Sequence, residues 1–122
     1  MPVIAVTTID EFKALIEKSP KAVADFHASW CSACKTMKPV FEDLADKIPD
    51  VTFISVDIDD GVDLAYEYGV TAMPTFKLFD NGKIVEEIIG AKKPALLAAM
   101  TKLAQPPAPA STDISVSAAT AA

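Results

Sequence analysis

Apolar residues recur along the chain with two periods, one typical of β-strands and one typical of α-helices. Apolar runs of strand length occur at residues 3–6, 22–27 and 51–57, and the run at 22–27 is nearly continuous, which indicates a central strand covered on both faces. Helical spacing occurs in four other segments. Their predicted inward-facing side chains are Ile9, Phe12, Leu15 and Ile16; Met37, Val40, Phe41, Leu44, Ala45 and Ile48; Leu64, Ala65 and Tyr68; and Leu96, Leu97, Met100 and Leu103.

Capping residues mark the ends of two of these helices. Thr8 followed by Glu11 indicates a capping box at the start of the first helix. Asp59 or Asp60 can cap the short third helix, and Gly69 is suited to end it. We therefore expect the first helix to start just after Thr8 and the third to start just after the Asp pair.

Turn residues complete the predicted order of elements. Asn81-Gly82 separates the apolar runs at 75–80 and 83–89, which is a strong hairpin signal, and Pro94 can occupy the first position of a closing helix. The order is β-α-β-α-β-α-β-β-α. Because strands alternate with helices before the hairpin, the sequence predicts an α/β fold with a central mixed β-sheet flanked by helices on both faces.

Length and composition favour one folded domain at residues 1–104 followed by a tail. The chain has 122 residues, of which 51% are hydrophobic, so one sizeable core is feasible. Residues 105–122 contain prolines and small residues but no aromatic residue. We expect this tail to be disordered, because it has too little apolar bulk to offset the entropy of ordering.

Charge and terminal sequence argue against several classes of partner. Lys and Arg number 11 against 17 Asp and Glu, so the chain lacks the cationic face that nucleic acid requires. No apolar stretch approaches the roughly 20 residues needed to cross a bilayer. The N-terminal segment lacks the basic residues of a signal or transit peptide. We expect a soluble, cytoplasmic monomer that binds neither nucleic acid nor membranes.

The two cysteines, Cys31 and Cys34, lie where thiol chemistry is favoured. They follow a predicted buried strand and open a predicted helix, so they share one face of its first turn. Unpaired N–H groups and the helix dipole stabilise a thiolate at this end of a helix. Cys31 meets those groups, whereas Cys34 lies deeper in the turn. We therefore predict that Cys31 is the nucleophile and Cys34 the resolving thiol.

Other interpretations of the cysteine pair stay open at this point. The thiols could be inert and buried, or they could form half of a zinc site. Zinc normally has four ligands, and His27 is the one histidine of the chain, so a closed site would need carboxylates. A metal or iron–sulfur centre bridging two copies of the chain is a further possibility.

Asp25 is the anomaly of the buried strand at 22–27. A carboxyl group inside an apolar strand tends to a raised pKa, which suits a proton acceptor near neutral pH. The alternative is an aspartate that faces solvent at the edge of a sheet.

These motifs resemble those of the thioredoxin family. Residues 22–45 resemble its active-site segment and residues 70–91 its later substrate-binding half, and the resemblance extends from about residue 3 to residue 104. The matching positions occur in family order and are Trp30, Cys31, Cys34, Lys35, Pro39, Met73, Pro74, Thr75, Asn81, Gly82 and Gly90. The resemblance implies the thioredoxin fold.

The resemblance also implies roles for individual residues. Asp25 matches the buried carboxylate that assists removal of the proton from Cys34. Pro74 matches a cis-proline next to the cysteines, and the backbone at Met73 would pair with an extended substrate segment. The residues expected to line the substrate-binding surface are Trp30, Ser32, Ala33, Ala72, Met73, Pro74, Gly90 and Ala91.

Three positions depart from the family pattern. Ser32 and Ala33 replace the usual Gly-Pro between the cysteines. His27 stands where an aromatic residue is frequent, and we interpret it as a structural residue. Ser55 stands where a lysine is common, so Asp25 lacks a possible partner.

The function implied is reduction of protein disulfides in electron transport and cell redox homeostasis. The expected partners are oxidised target proteins and an NADPH-dependent flavoprotein, thioredoxin reductase, and no bound cofactor is expected beyond the redox-active Cys31–Cys34 disulfide. The alternative is a binding or chaperone module of the same fold with non-catalytic cysteines. A glutaredoxin fits less well, since Trp30 and Asp25 match thioredoxins.

Overall fold

The computed structural model describes residues 3–104, and the predicted disordered tail at 105–122 lies outside the described residues. Its elements follow the predicted order. They are β1 (Ile4–Ala5), α1 (Ile9–Lys18), β2 (Lys21–His27), α2 (Ser32–Lys47), β3 (Thr52–Asp57), α3 (Val62–Glu67), β4 (Thr75–Asp80), β5 (Lys83–Ile89) and α4 (Lys93–Ala104).

The five strands form one mixed sheet in the order β1-β3-β2-β4-β5. β3 pairs in parallel with both β1 and β2, whereas β4 pairs antiparallel with β2 and with β5. β2 therefore lies at the centre, with neighbours on both sides, as its continuous apolar sequence predicts. The predicted α/β class is confirmed.

Alternation along β2 divides the core into two layers. Val23 packs in the cluster that contains the buried side chains of α2 and α4, whereas Ala24 and Phe26 pack in the cluster that contains those of α1 and α3. Successive side chains of a strand point to opposite faces, so Asp25 and His27 share the face of Val23 and lie beneath α2.

Two local signals are confirmed. Thr8 is the N-cap of α1, where its Oγ1 accepts the N–H of Glu11 at 3.2 Å and donates to Glu11 Oε1 at 3.1 Å. Asn81 and Gly82 join β4 to β5 with φ of 52° and 84°. Positive φ at both central residues is what a tight hairpin turn requires, which explains the Asn-Gly pair.

The predicted cap of α3 is wrong. α3 has Gly61 as its N-cap, without a side-chain hydrogen bond. Asp57 organises the preceding turn instead. Its Oδ1 accepts the N–H of Asp59 at 2.9 Å, and its carbonyl oxygen accepts the N–H groups of Asp60 at 3.1 Å and Gly61 at 2.8 Å. α3 therefore begins at Val62, one residue later than a cap at Asp60 would place it.

The closing helix differs from its prediction in two details. α4 begins at Lys93, so Pro94 is its second residue. Leu97 is 37% exposed rather than inward-facing, because Leu96, Met100 and Leu103 already fill the buried face. No helix within residues 3–104 is long and apolar enough to cross a membrane.

Candidate active site

Cys31 lies at the junction between the central strand and α2. It is the N-cap residue of α2, with an extended backbone (φ −95°, ψ 115°), and its Sγ accepts the N–H of Cys34 at 3.1 Å. An N-cap side chain normally uses an oxygen to accept an N–H of the first turn, and here a sulfur takes that place. Cys31 Sγ is therefore held at the positive end of the helix dipole.

Cys34 lies in the first turn of α2 and is more shielded than Cys31. The two side chains are 6% and 9% exposed, and both cysteines are free thiols in this structure. Burial, reinforced by hydrogen bonding to Cys31, raises the pKa of the Cys34 thiol to about 12. Cys34 therefore stays a thiol at neutral pH and needs a base before it can attack a disulfide.

Asp25 supplies a carboxyl group beneath the cysteines. It is 6% exposed, and its burial raises its pKa to about 7. Its Oδ1 has no hydrogen-bond partner among residues 3–104. The Asp25 charge also contributes to the raised pKa of Cys34, which indicates that the two groups lie close together. The solvent-facing alternative for Asp25 is therefore wrong.

A cavity of about 400 Å³ joins these groups under α2. Its floor comes from alternate residues at the ends of β2 and β3, and its opposite wall comes from α2. The lining residues are Val3, Asp25, His27, Ala28, Ser29, Cys34, Lys35, Lys38, Phe41, Glu42, Ser55 and Asp57. The Asp25 carboxyl group and the Cys34 thiol thus open into one shared space.

Two of the departures from the family pattern meet in this cavity. His27 Nε2 and Ser55 Oγ are hydrogen-bonded at 2.7 Å. His27, interpreted from the sequence as structural, and Ser55, which replaces a possible partner of Asp25, both line the cavity that contains Asp25, and this placement was not predicted. The alternation of side chains along a strand could have predicted this placement. It puts residues 25 and 27 on one face of β2 and residues 55 and 57 on one face of β3.

The structure gives specific contacts for several of the predicted substrate-binding residues. Trp30 is 65% exposed, and its Nε1 donates to Asp59 Oδ2 at 3.2 Å, a partner that the sequence analysis did not identify. Met73 packs against the cysteines, and the Met73–Pro74 bond is cis, as the resemblance implied. The N–H of Gly90 donates to the carbonyl oxygen of Pro74 at 2.8 Å.

The remaining predicted positions differ in exposure. Ser32 is exposed, whereas Ala33 is half-buried against the cysteines. Ala72 is exposed and its carbonyl oxygen accepts the Thr75 hydroxyl at 2.6 Å. Ala91 is exposed and follows Gly90. Within residues 3–104, no group of three or more His, Cys, Asp and Glu side chains is placed to hold a metal ion.

Comparisons with known proteins agree with this geometry. Residues 3–102 match the family model described as Thioredoxin. The chain is 46% identical over 90 residues to "Thioredoxin-3, mitochondrial" of Saccharomyces cerevisiae, covering 74% of this chain and 71% of that protein. It is 49% identical over 86 residues to "Thioredoxin" of Gallus gallus, covering 70% of this chain and 80% of that protein. The solved oxidised form of the yeast mitochondrial protein superposes with a TM-score of 0.80 at 42% identity, over 83% of this chain and 95% of that one.

Proposed function

The chain belongs to the thioredoxin family and is a thiol–disulfide oxidoreductase, and we propose that it reduces protein disulfides with Cys31 as the nucleophile and Cys34 as the resolving thiol. The observation that carries this assignment is the 3.1 Å hydrogen bond from the Cys34 N–H to Cys31 Sγ at the start of α2. A donated N–H and the helix dipole both stabilise negative charge on Cys31.

In the first step the Cys31 thiolate attacks one sulfur of the substrate disulfide. A bond forms between Cys31 Sγ and that sulfur while the substrate S–S bond breaks. The other substrate sulfur leaves as a thiolate and takes a proton from solvent. The product is a mixed disulfide between Cys31 and the target protein.

In the second step Asp25 acts as the base for Cys34. The Asp25 carboxylate takes the thiol proton, and the Cys34 thiolate then attacks Cys31 Sγ. The Cys31–Cys34 disulfide forms, the mixed disulfide breaks, and the second substrate sulfur leaves as a thiolate. Two electrons have then passed from the dithiol to the substrate. The pKa of Asp25, raised by burial to about 7, suits this role near neutral pH.

The residues around the cysteines form the proposed docking surface. An extended segment of the target would pair with the backbone at Met73, beside cis-Pro74. Trp30 supplies a large exposed apolar side chain at the same site. The full proposed set is Trp30, Ser32, Ala33, Ala72, Met73, Pro74, Gly90 and Ala91.

The proposed partners are oxidised target proteins and thioredoxin reductase, which would return electrons from NADPH to the Cys31–Cys34 disulfide. We propose no bound cofactor, because the Cys31–Cys34 dithiol by itself supplies the two electrons of each cycle. We also propose a monomer in the cytoplasm, whose reducing conditions keep such a pair in the dithiol form. One of its relatives is mitochondrial, so fluorescence of a tagged full-length chain in intact cells tests the location.

A coupled turnover assay tests the proposed reductase activity. NADPH, a thioredoxin reductase and a protein disulfide substrate are incubated with and without this chain at micromolar concentration, and NADPH oxidation is followed. We expect acceleration by the wild type and none by Cys31→Ser. No acceleration by the wild type would favour a binding or chaperone module with non-catalytic cysteines.

A further inference from the structure

The two steps above do not use His27, although it lines the same cavity as Asp25 and Cys34. Asp25 and His27 are two residues apart on β2, so their side chains leave one face of the strand roughly 7 Å apart. His27 is half-buried, and its Nε2 is hydrogen-bonded to Ser55 Oγ at 2.7 Å. The imidazole is therefore anchored to Ser55, the residue beside Asp25 in the register of β2 and β3.

The charged groups around His27 come from three elements. β2 contributes Asp25 itself and β3 contributes Asp57, which is paired with His27 in the parallel register. The titratable residues that α2 contributes to the cavity are Cys34, Lys35, Lys38 and Glu42. Burial lowers the pKa of His27, and Lys38 lowers it further, while Asp57 opposes both. His27 is therefore neutral at pH 7 and gains its proton on the acidic side.

Protonation of His27 would place a cation close to Asp25. Ser55 lies beside Asp25 in the register of β2 and β3, but its hydroxyl is bonded to His27, and Asp25 Oδ1 has no hydrogen-bond partner in the described part of the chain. An unpaired buried carboxylate gains most from a nearby positive charge. The two groups would then hold one proton between them as the pH falls below neutral.

We propose that His27 is a positioning residue for the resolution step: its imidazole, held by Ser55, keeps the Asp25 carboxylate ionised on the acidic side of neutrality. This inference rests on the proposed role of Asp25 as the base for Cys34. His27 touches neither substrate nor sulfur in this account and acts only through Asp25. Its effect should therefore vanish when Asp25 cannot ionise.

The test is the pH dependence of resolution in single-turnover experiments. Release of the second substrate thiol is followed from pH 5.5 to 9 for the wild type, Asp25→Asn, His27→Gln and the double variant. Gln keeps a polar group that can bond Ser55 but cannot become charged. At pH 6 we expect His27→Gln to resolve about 3- to 10-fold more slowly than the wild type, which corresponds to a rise of about 0.5 to 1 in the Asp25 pKa. At pH 9 the two rates should agree.

The double variant separates this effect from a structural one. His27→Gln should cause no further loss of rate in an Asp25→Asn background. A loss in that background, or wild-type and His27→Gln profiles that coincide throughout, would overturn the inference. If Asp25→Asn itself matches the wild type, the base role of Asp25 fails instead. The two failures are thus distinguishable.

A spectroscopic measurement on the wild type covers the case in which His27→Gln does not fold. In the disulfide form, where neither cysteine titrates, carbon and nitrogen NMR shifts report the Asp25 carboxyl and the His27 ring. We expect each signal to show both inflections, as coupled groups do. Ser55→Ala, which keeps the imidazole but removes its anchor, should weaken this coupling. Two independent single titrations in the wild type would overturn the inference.

Discussion

Ser55 lies directly beside Asp25 in the β2–β3 register, yet its hydroxyl is hydrogen-bonded to His27 rather than to the carboxyl group. Asp25 Oδ1 is consequently without a hydrogen-bond partner among residues 3–104. Burial disfavours the charged form of the carboxyl group and raises the pKa of Asp25 to about 7. By the sequence resemblance a lysine is common near this position, and Ser55 supplies no positive charge there that would lower the pKa of Asp25.

Stability should therefore fall as the pH rises from about 4 to about 7. The native state keeps the Asp25 proton up to a pKa of about 7, whereas the unfolded chain loses it near 3.8, so the native state is penalised above that pH. Over this pH range the free energy of unfolding should fall by about 4 kcal/mol in total. Asp25→Asn should abolish it and be the more stable protein at pH 8.

Urea unfolding at a series of pH values measures this loss as a free energy of unfolding. Asp50→Asn, at an exposed position, is the matched control and should follow the wild type. Wild-type and Asp25→Asn profiles that coincide from acid to pH 8 would show that Asp25 is solvated.

Asp25→Asn should also slow resolution much more than initial attack. The proton that Asp25 would accept belongs to the buried Cys34 thiol rather than to Cys31. A positioned base typically contributes about 100-fold or more, so resolution at pH 7 should slow by at least about tenfold. Stopped-flow measurement of the first and second thiols released separates the two steps. Equal slowing of both steps would contradict the assignment.

Trp30→Ala should weaken docking of protein substrates without changing the chemistry at the sulfurs. The indole is 65% exposed, so its loss removes contact area for a target but little of the core. We expect KM for a protein disulfide to rise several-fold while the rate with a small aromatic disulfide stays within about twofold. The control Asp59→Ala removes only the acceptor of the Trp30 N–H. A fall in kcat at unchanged KM would argue against a docking role.

Much of the fold could be predicted because local signals and tertiary structure agree. Thr8 caps α1 through Glu11, and the Asn81-Gly82 pair supplies the positive φ values of the hairpin. The continuous apolar run around Asp25 indicated the central strand correctly. Cys31 and Cys34 could be placed at a helix start for the same reason.

Other features depend on interactions that the sequence pattern does not display. The third helix starts after Gly61 because Asp57 accepts the N–H groups of the next residues, Asp59, Asp60 and Gly61, and this turn extends past the predicted cap. The inward-facing prediction for Leu97 is wrong, since apolar residues occur on more than one face of α4 and the spacing alone does not show which face is buried. The His27–Ser55 hydrogen bond joins two strands whose register is fixed only in three dimensions.

The most direct test of the central claim is which single cysteine variant traps a target protein. Cys34→Ser can attack but not resolve, so it should accumulate a mixed disulfide through Cys31 that non-reducing electrophoresis and mass spectrometry detect. Cys31→Ser should trap nothing, because the pKa of Cys34, raised by burial to about 12, keeps it a thiol. A mixed disulfide formed by Cys31→Ser and absent from Cys34→Ser would contradict the assignment of the two roles.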